Sequence, residues 1–244
     1  PDRDVKIVVD RLTGLIKRRL LINYRVDPAV ARTILPSVFE PKLYDGSAIA
    51  GICLIRLERM RPSFAPDLLA LGSENAAHRI AVVWDEGSMQ KEGVYIPRRD
   101  TDSVLTSTLG GMLFPGNYHR ANFSVEENRG RIEMTMRSTD GEVSIDVAGT
   151  PAEEMPAGSV FSTLADASTF FEAGSCGYSE AADGGRLEGM ELRVREWSVR
   201  PFAVDRLGSS YFANRSIFPE GAIEFDHALI MSDVEHEWRG INVR

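Results

Sequence analysis

Apolar and polar residues alternate over much of the chain, a pattern that predicts β-strands with one buried face. Three such segments follow one another in the middle of the chain, and the glycine-containing turns between them predict two hairpins. The predicted strands cover residues 19–26, 47–57, 78–84, 93–98, 121–126, 131–137, 142–148, 186–199 and 223–231.

Apolar residues recur at helical spacing only in short stretches of the sequence. Asp27 can cap a helix that starts at Pro28 and ends at Pro36. Further short helices are predicted near 102–113, 163–172 and 204–212. Many antiparallel strands with a few short helices predict an α+β fold, mainly antiparallel β and closed or nearly closed into a barrel.

Composition narrows the class of protein. A chain of 244 residues with 43% hydrophobic residues can bury a substantial core, and no linker or repeat divides it, so we expect one domain over residues 1–244. The net charge of -8 argues against a nucleic-acid partner. No apolar run is long enough for a membrane span, no secretory signal is evident and two cysteines make no disulfide framework, so we expect a cytoplasmic protein.

Amines are scarce in this chain. The only lysines are Lys6, Lys17, Lys42 and Lys91, and the other 24 of the 28 basic residues are arginine. Arginine stays protonated at physiological pH, so an amine-based mechanism has only four side chains available. Lys17 is the most interesting of them, because the adjacent cations Arg18 and Arg19 would lower its pKa if it were buried.

The segment LFPGNYHRANFSVE at 113–126 resembles the Phe-Pro-Lys-Lys segment and the following strand of the acetoacetate decarboxylase superfamily. The segment 24–27, followed by a helix and Pro36, is similar to the N-terminal part of that family. Short segments at 93–95, 177–179, 185–189, 209–212 and 218–238 resemble an uncharacterised branch of it. The resemblance spans roughly residues 17–239 and implies a cone-shaped β-barrel around a small-molecule cavity, and a tendency to form homo-oligomers.

The resemblance also assigns pocket positions. The reactive lysine of the family falls at Gly116 or Asn117, neither of which can form a Schiff base, so Schiff-base decarboxylation is not expected. An arginine that precedes the first strand falls near Lys17. One pocket glutamate falls close to Cys53 and the other near Glu74. These positions are the ones at which the resemblance places substrate contacts.

Three further side chains are candidates from their own setting. His119 lies at a helix-to-strand junction and can act as an acid or base, and Tyr118 can donate to a carbonyl oxygen. The alternative for His119 is a surface histidine beside an aromatic ring. Arg79 interrupts an apolar strand; if buried it needs an anion such as Glu74, Glu86 or a substrate carboxylate, and otherwise it lies in water on an edge strand.

Metal and nucleotide sites are not indicated. His227 and His236 lie among acidic residues, but without metal-ligand spacing, and a solvated acidic face is the preferred interpretation. No glycine-rich segment has the context of a phosphate loop. We therefore expect no metal and no cofactor.

Two functions remain open at this point. In the first, a barrel encloses a small organic acid or carbonyl compound and performs lyase, hydratase or isomerase chemistry without a Schiff base. Arg79 would bind a carboxylate, His119 with Tyr118 would move a proton or polarise a carbonyl, and Glu74 would orient the substrate or act as base. In the second, the same scaffold is a non-catalytic binding or sensor protein.

Overall fold

The structure is a computed structural model that describes residues 11–62, 71–104, 106–107, 116–181 and 184–242. Its strands are β1 (Arg11–Val26), β2 (Glu40–Pro41), β3 (Leu43–Tyr44), β4 (Ser47–Pro62), β5 (Leu71–Glu86), β6 (Met89–Thr101), β7 (Tyr118–Asn128), β8 (Arg131–Ser138), β9 (Ser144–Pro151), β10 (Cys176–Glu180), β11 (Leu187–Val194), β12 (Arg200–Ser209) and β13 (Ile223–Asn242). The helices within the described residues are α1 (Pro28–Ile34) and α2 (Leu164–Ala173).

The predicted helix boundaries follow from the capping residues. Asp27 accepts a hydrogen bond from the Ala29 amide at 2.8 Å and Pro28 occupies the first turn, so α1 begins where the sequence predicts. Thr163 caps α2 by accepting from the Asp166 amide at 3.1 Å. The helix predicted at 102–113 lies largely outside the described residues.

The helix predicted at 204–212 is wrong, because residues through Ser209 belong to β12. This strand pairs antiparallel with β9, and the pairing satisfies its backbone N–H and C=O groups. The spacing of apolar residues within the segment could not indicate such a long-range pairing. The predicted strands are present. Most are longer than their patterns, whereas the segment 186–199 is a strand only over β11.

The strand pairings close into two rings. One ring has seven strands, in the order β1, β4, β5, β6, β10, β11 and β13. The other has nine strands and runs from β6 through β7, β8, β9 and β12 to β13 before returning through β1, β4 and β5. The expected fold class, mainly antiparallel β with closed sheet and few short helices, is confirmed.

Strands β13, β1, β4, β5 and β6 belong to both rings and form a shared wall. Successive side chains of a strand point to opposite faces, so this wall separates two cores. Leu20 and Ile22 of β1 join the core of the nine-strand ring. Leu21 joins a second core that includes Phe170 and Phe171 of α2. Polar residues of the shared wall therefore reach one interior or the other according to their position along the strand.

Candidate functional site

A cavity of about 350 Å³ lies inside the seven-strand ring. All seven strands contribute to its lining, which is mainly apolar and includes Ile55, Val94 and Leu192. The charged and polar lining residues are Arg19, Cys53, Arg61, Ser73, Asn75, Arg79, Arg99, Asp100, Ser103, Thr106, Tyr118 and Ser175. A pocket of this size and composition suits a small, mostly apolar molecule with a few directed polar contacts.

Arg79 of β5 is the most deeply buried cation in this lining, with 4% of its surface exposed. Its Nη2 donates to Asn23 Oδ1 at 2.5 Å, and its guanidinium carbon lies 4.9 Å from the centre of the Phe171 ring. Burial, together with the nearby charge of Arg19, lowers the pKa of Arg79 to about 10. Arg79 is therefore charged at neutral pH, and the cost of burying that charge is only partly offset by neutral partners.

Arg19 of β1 faces the same cavity. Its Nε donates to Cys53 Sγ at 3.3 Å, and its guanidinium carbon lies 5.7 Å from the centre of the Trp197 ring. Neither Arg19 nor Arg79 forms an ion pair with a carboxylate of the described residues. The Nη1 of Arg19 and the Nε of Arg79 are buried without a hydrogen-bond partner there. Two guanidinium groups with unused donors favour an anion in this cavity.

A third arginine, Arg99 of β6, lies near Tyr118. The Arg99 guanidinium carbon is 5.5 Å from the centre of the Tyr118 ring, and Arg99 Nε donates to Ser179 Oγ at 3.0 Å. Parallel pairing of β6 with β7 places these two residues opposite each other. Asp100, the one carboxylate among the described lining residues, is held by Arg98 at 2.9 Å. The structure thus brings Arg79, Cys53 and Tyr118 of the predicted residues to one cavity.

Glu74 faces away from this cavity. Its Oε2 accepts a hydrogen bond from Nη2 of Arg18 at 2.6 Å, and Arg18 also pairs with Glu127 of the nine-strand ring. Burial raises the pKa of Glu74 in spite of the opposing charges of Arg18 and Arg56. Glu74, one of the three anions that the sequence analysis considered for Arg79, is therefore not its partner.

His119 also lies outside the cavity lining. Its Nδ1 is 3.0 Å from Asp140 Oδ2, and Asp140 is held in turn by Arg98 Nη2 at 2.8 Å. Burial acts against ionisation of Asp140, but hydrogen bonds from Ser138, the Glu142 amide and Arg98 hold its pKa below the usual range. His119 therefore sits in an ion-pair network rather than beside Tyr118 in the pocket.

Gly116 and Asn117, the two positions at which the resemblance predicts the lysine of the family, are not among the lining residues. Gly116 is buried, has φ +95°, and its amide donates to Glu188 Oε2 at 3.1 Å. Asn117 is exposed. The preceding part of the resembling segment, 113–115, lies outside the described residues.

Lys17 lies on the outside of the ring and pairs with Asp233 at 2.6 Å. The hydrogen bond and charge of Asp233 raise the pKa of Lys17. The lowering by Arg18 and Arg19 was expected only for a buried Lys17, and Lys17 is exposed. Lys17 is not a contact of the cavity.

The sequence reasoning missed the polar residues that support Arg79. Asn23 and His227 are fully buried, and Asp226 and His236 are each 5% exposed. The predicted solvated acidic face is therefore wrong for Asp226, His227 and His236. Asn23 and His227 are direct partners across β1 and β13. Alternation within β1 places Asn23 on the face of Arg19 and is the one sequence signal that could have indicated its role.

Within the described part of the chain, none of the helices is long and apolar enough to cross a membrane. No group of three or more histidine, cysteine, aspartate and glutamate side chains is arranged to hold a metal ion within those residues.

Comparison with known proteins places the chain among acetoacetate decarboxylase-like folds. The model of the DUF2071 family, described as an uncharacterized conserved protein, matches residues 16–232. No significant match to a curated protein was found.

Solved structures share the fold at low sequence identity. An acetoacetate decarboxylase-like enzyme from Sphingomonas wittichii RW1 is 13% identical, with a TM-score of 0.58 over 95% of this chain and 91% of that one. The enduracididine biosynthesis enzyme MppR, complexed with pyruvate, is 14% identical, with a TM-score of 0.56 over 95% and 88%. Acetoacetate decarboxylase from Legionella pneumophila is 11% identical, with a TM-score of 0.58 over 95% and 87%.

Proposed function

From the membership of this chain in the DUF2071 family, and from its acetoacetate decarboxylase-like fold, we propose that it binds a small organic acid inside the seven-strand ring. Arg79 and Arg19 hold the carboxylate of the ligand. The observation that carries this proposal is that Arg79 and Arg19 line one cavity, that each has a buried donor without a hydrogen-bond partner, and that neither pairs with a carboxylate among the described residues.

The cavity suits such a ligand in size and polarity. About 350 Å³ accommodates a compact acid, and the apolar wall suits a short hydrocarbon body. The similar fold of MppR has been described with pyruvate, so 2-oxo acids are reasonable first probes. Cytoplasmic location, homo-oligomeric assembly and a single domain over residues 1–244 remain predictions.

Schiff-base chemistry is not part of this proposal. The amine of the resembling family is replaced by Gly116 and Asn117, and Lys17 is paired with Asp233 outside the ring. Glu74 and His119 are held by Arg18 and Asp140 away from the cavity, which favours binding without catalysis over acid–base chemistry through these two residues.

A lyase-type reaction without an imine is the second candidate. Tyr118 lines the same cavity and its hydroxyl can donate to a ligand carbonyl. Asp100 borders the cavity, and burial raises the pKa of its carboxyl in spite of Arg98, so it is a further candidate for proton transfer. Turnover of a 2-oxo acid by the purified protein, lost in Tyr118→Phe with binding retained, would favour this candidate.

Calorimetric titration tests the binding proposal directly. The wild-type protein is titrated with pyruvate and acetoacetate and, as a neutral match, with pyruvamide. We expect the acids to bind at least about tenfold more tightly than the amide, and Arg79→Met to lose this preference. Arg32→Met, which removes an exposed arginine of α1, is the control and should bind like the wild type. Equal binding of acid and amide, or unchanged binding by Arg79→Met, would contradict the proposal.

A further inference from the structure

We propose that Asn23, His227 and Asp226 form a hydrogen-bonded relay that positions Arg79 and leaves its charge available to the ligand. This inference rests on the proposed function, because it explains how the carboxylate-binding arginine is held. The relay crosses the shared wall in one row. Arg79 pairs with Gly51 of β4, Gly51 with Asn23 of β1, and Asn23 with His227 of β13.

The row depends on Gly51, which has no side chain. A Cβ at this position would lie 3.1 Å from Asn23 Oδ1 and 3.4 Å from Arg79 Nη2, and it would clash with the Ile22 carbonyl oxygen. The glycine thus allows side chains from β5 and β1 to meet over β4. Their hydrogen bond, at 2.5 Å, joins residues that are not on adjacent strands.

The donors and acceptors of the relay determine each other. Asp226 Oδ2 lies 2.5 Å from His227 Nδ1, and a carboxylate can only accept, so Nδ1 carries the proton. In the neutral imidazole Nε2 is then an acceptor, and Asn23 Nδ2 donates to it at 3.0 Å. With its amide nitrogen so engaged, Asn23 must present Oδ1 to Arg79, whose guanidinium can only donate.

The negative charge of the relay is compensated at its far end. Asp226 accepts from Ser159 Oγ at 2.6 Å and from the Val160 amide at 2.9 Å, and Arg25 Nη1 lies 3.3 Å away. Burial alone would raise the pKa of Asp226, but these hydrogen bonds and that of His227 keep it below the usual range. Asp226 is therefore ionised, and its charge is balanced by Arg25 rather than by Arg79.

The Phe171 ring packs against both His227 and Arg79. The Phe171 ring centre lies 5.6 Å from that of His227 and 4.9 Å from the guanidinium carbon of Arg79. The Phe161 ring centre lies 5.2 Å from that of the imidazole, and the Phe161 and Phe171 rings pack against each other at 5.8 Å. Rotation of His227 is thus restricted, and the direction of the Asn23 amide is restricted with it.

Asn23→Asp is the decisive variant, because aspartate has nearly the same shape and places a carboxylate directly on Arg79. We expect it to form a buried ion pair that occupies the guanidinium, so that affinity for pyruvate falls at least about tenfold while affinity for pyruvamide is unchanged. The melting temperature of the variant is measured alongside. An unchanged melting temperature together with a loss of acid binding distinguishes a positioning role of Asn23 from a general loss of structure.

A pair of His227 variants tests the relay independently. Gln can donate to Asp226 and accept from Asn23, whereas Leu can do neither, so His227→Gln should bind pyruvate more tightly than His227→Leu. Nitrogen NMR of the wild type should show His227 as the Nδ1-protonated tautomer. Binding of pyruvate by Asn23→Asp with wild-type affinity, or equal affinities of the Gln and Leu variants, would overturn the relay. Failure of the wild type itself to bind any acid would overturn the proposed function instead.

Discussion

Glu74 and Arg79 lie five residues apart on β5 and face opposite interiors. Glu74 joins Arg18 on the side of the nine-strand ring, whereas Arg79 joins Asn23 beside the cavity of the seven-strand ring. An odd separation along a strand places two side chains on opposite faces. The wall between the rings therefore keeps a compensating carboxylate away from the binding arginine.

The Arg18–Glu74 pair should contribute to stability because both side chains are buried. Arg18 is 2% exposed, and its loss leaves Glu74 buried without its closest cation. We expect Arg18→Met to lower the free energy of unfolding by roughly 3–5 kcal/mol in urea titrations. The double variant Arg18→Met with Glu74→Gln should recover a substantial part of the loss, and no recovery would show that the pair does not act as a unit.

Stability should decrease on acidification because of His78. Burial, with a smaller contribution from Arg98, lowers the pKa of His78 to about 3, and both ring nitrogens lack a partner among the described residues. The unfolded state, with an ordinary histidine pKa near 6.5, then binds more protons than the folded state between these values. The free energy of unfolding should fall by about 1.4 kcal/mol per pH unit from this group as the pH drops from 6.5 towards 3.

Comparison with His78→Leu isolates that contribution from the opposing effects of Glu74 and Asp100, whose raised pKa values stabilise the fold at low pH. The difference in unfolding free energy between wild type and variant should change over this interval and be constant above pH 7. A difference that does not depend on pH would exclude a neutral buried His78.

Gly116 should be replaceable only with a loss of stability. Its φ of +95° disfavours other residues, and a Cβ would lie 2.8 Å from Ser179 Cβ. We expect Gly116→Ala to cost about 1–3 kcal/mol in unfolding free energy. Gly130→Ala is the matched control, because Gly130 has φ +83° but open space around it and should cost less. An equal loss of unfolding free energy in the two variants would show that Ser179 moves away from the added Cβ at little cost.

Cys53 should report the charge of the cavity. Its thiol lines the cavity and accepts a hydrogen bond from Arg19, so an anionic alkylating reagent should be concentrated beside it. The experiment uses the Cys176→Ser variant, so that Cys53 is the thiol that reacts. We expect the ratio of its alkylation rate with iodoacetate to that with iodoacetamide to be about tenfold higher than the same ratio for the thiol of free glutathione. Rates are followed by intact mass, and pyruvate should protect. The same ratio as glutathione would argue against an anion site.

Most of the strands and the helices α1 and α2 could be predicted from the amino-acid sequence. Alternation predicted the long strands, the cap Asp27 placed the start of α1, and helical spacing placed α2. Such features depend on neighbours within a few residues. The resemblance to the acetoacetate decarboxylase superfamily likewise predicts that the lysine of that family falls at Gly116 or Asn117.

The set of residues that share the cavity could not be predicted in this way, because it depends on long-range strand pairing. Asn23 and His227 are 204 residues apart in sequence, yet β13 pairs with β1 and brings them within hydrogen-bond distance. Closure of the seven-strand ring likewise directs Arg19 and Arg79 to one interior and leaves Lys17 outside. The physical reason is that local patterns report whether a side chain is buried, whereas long-range strand pairing determines which buried groups meet.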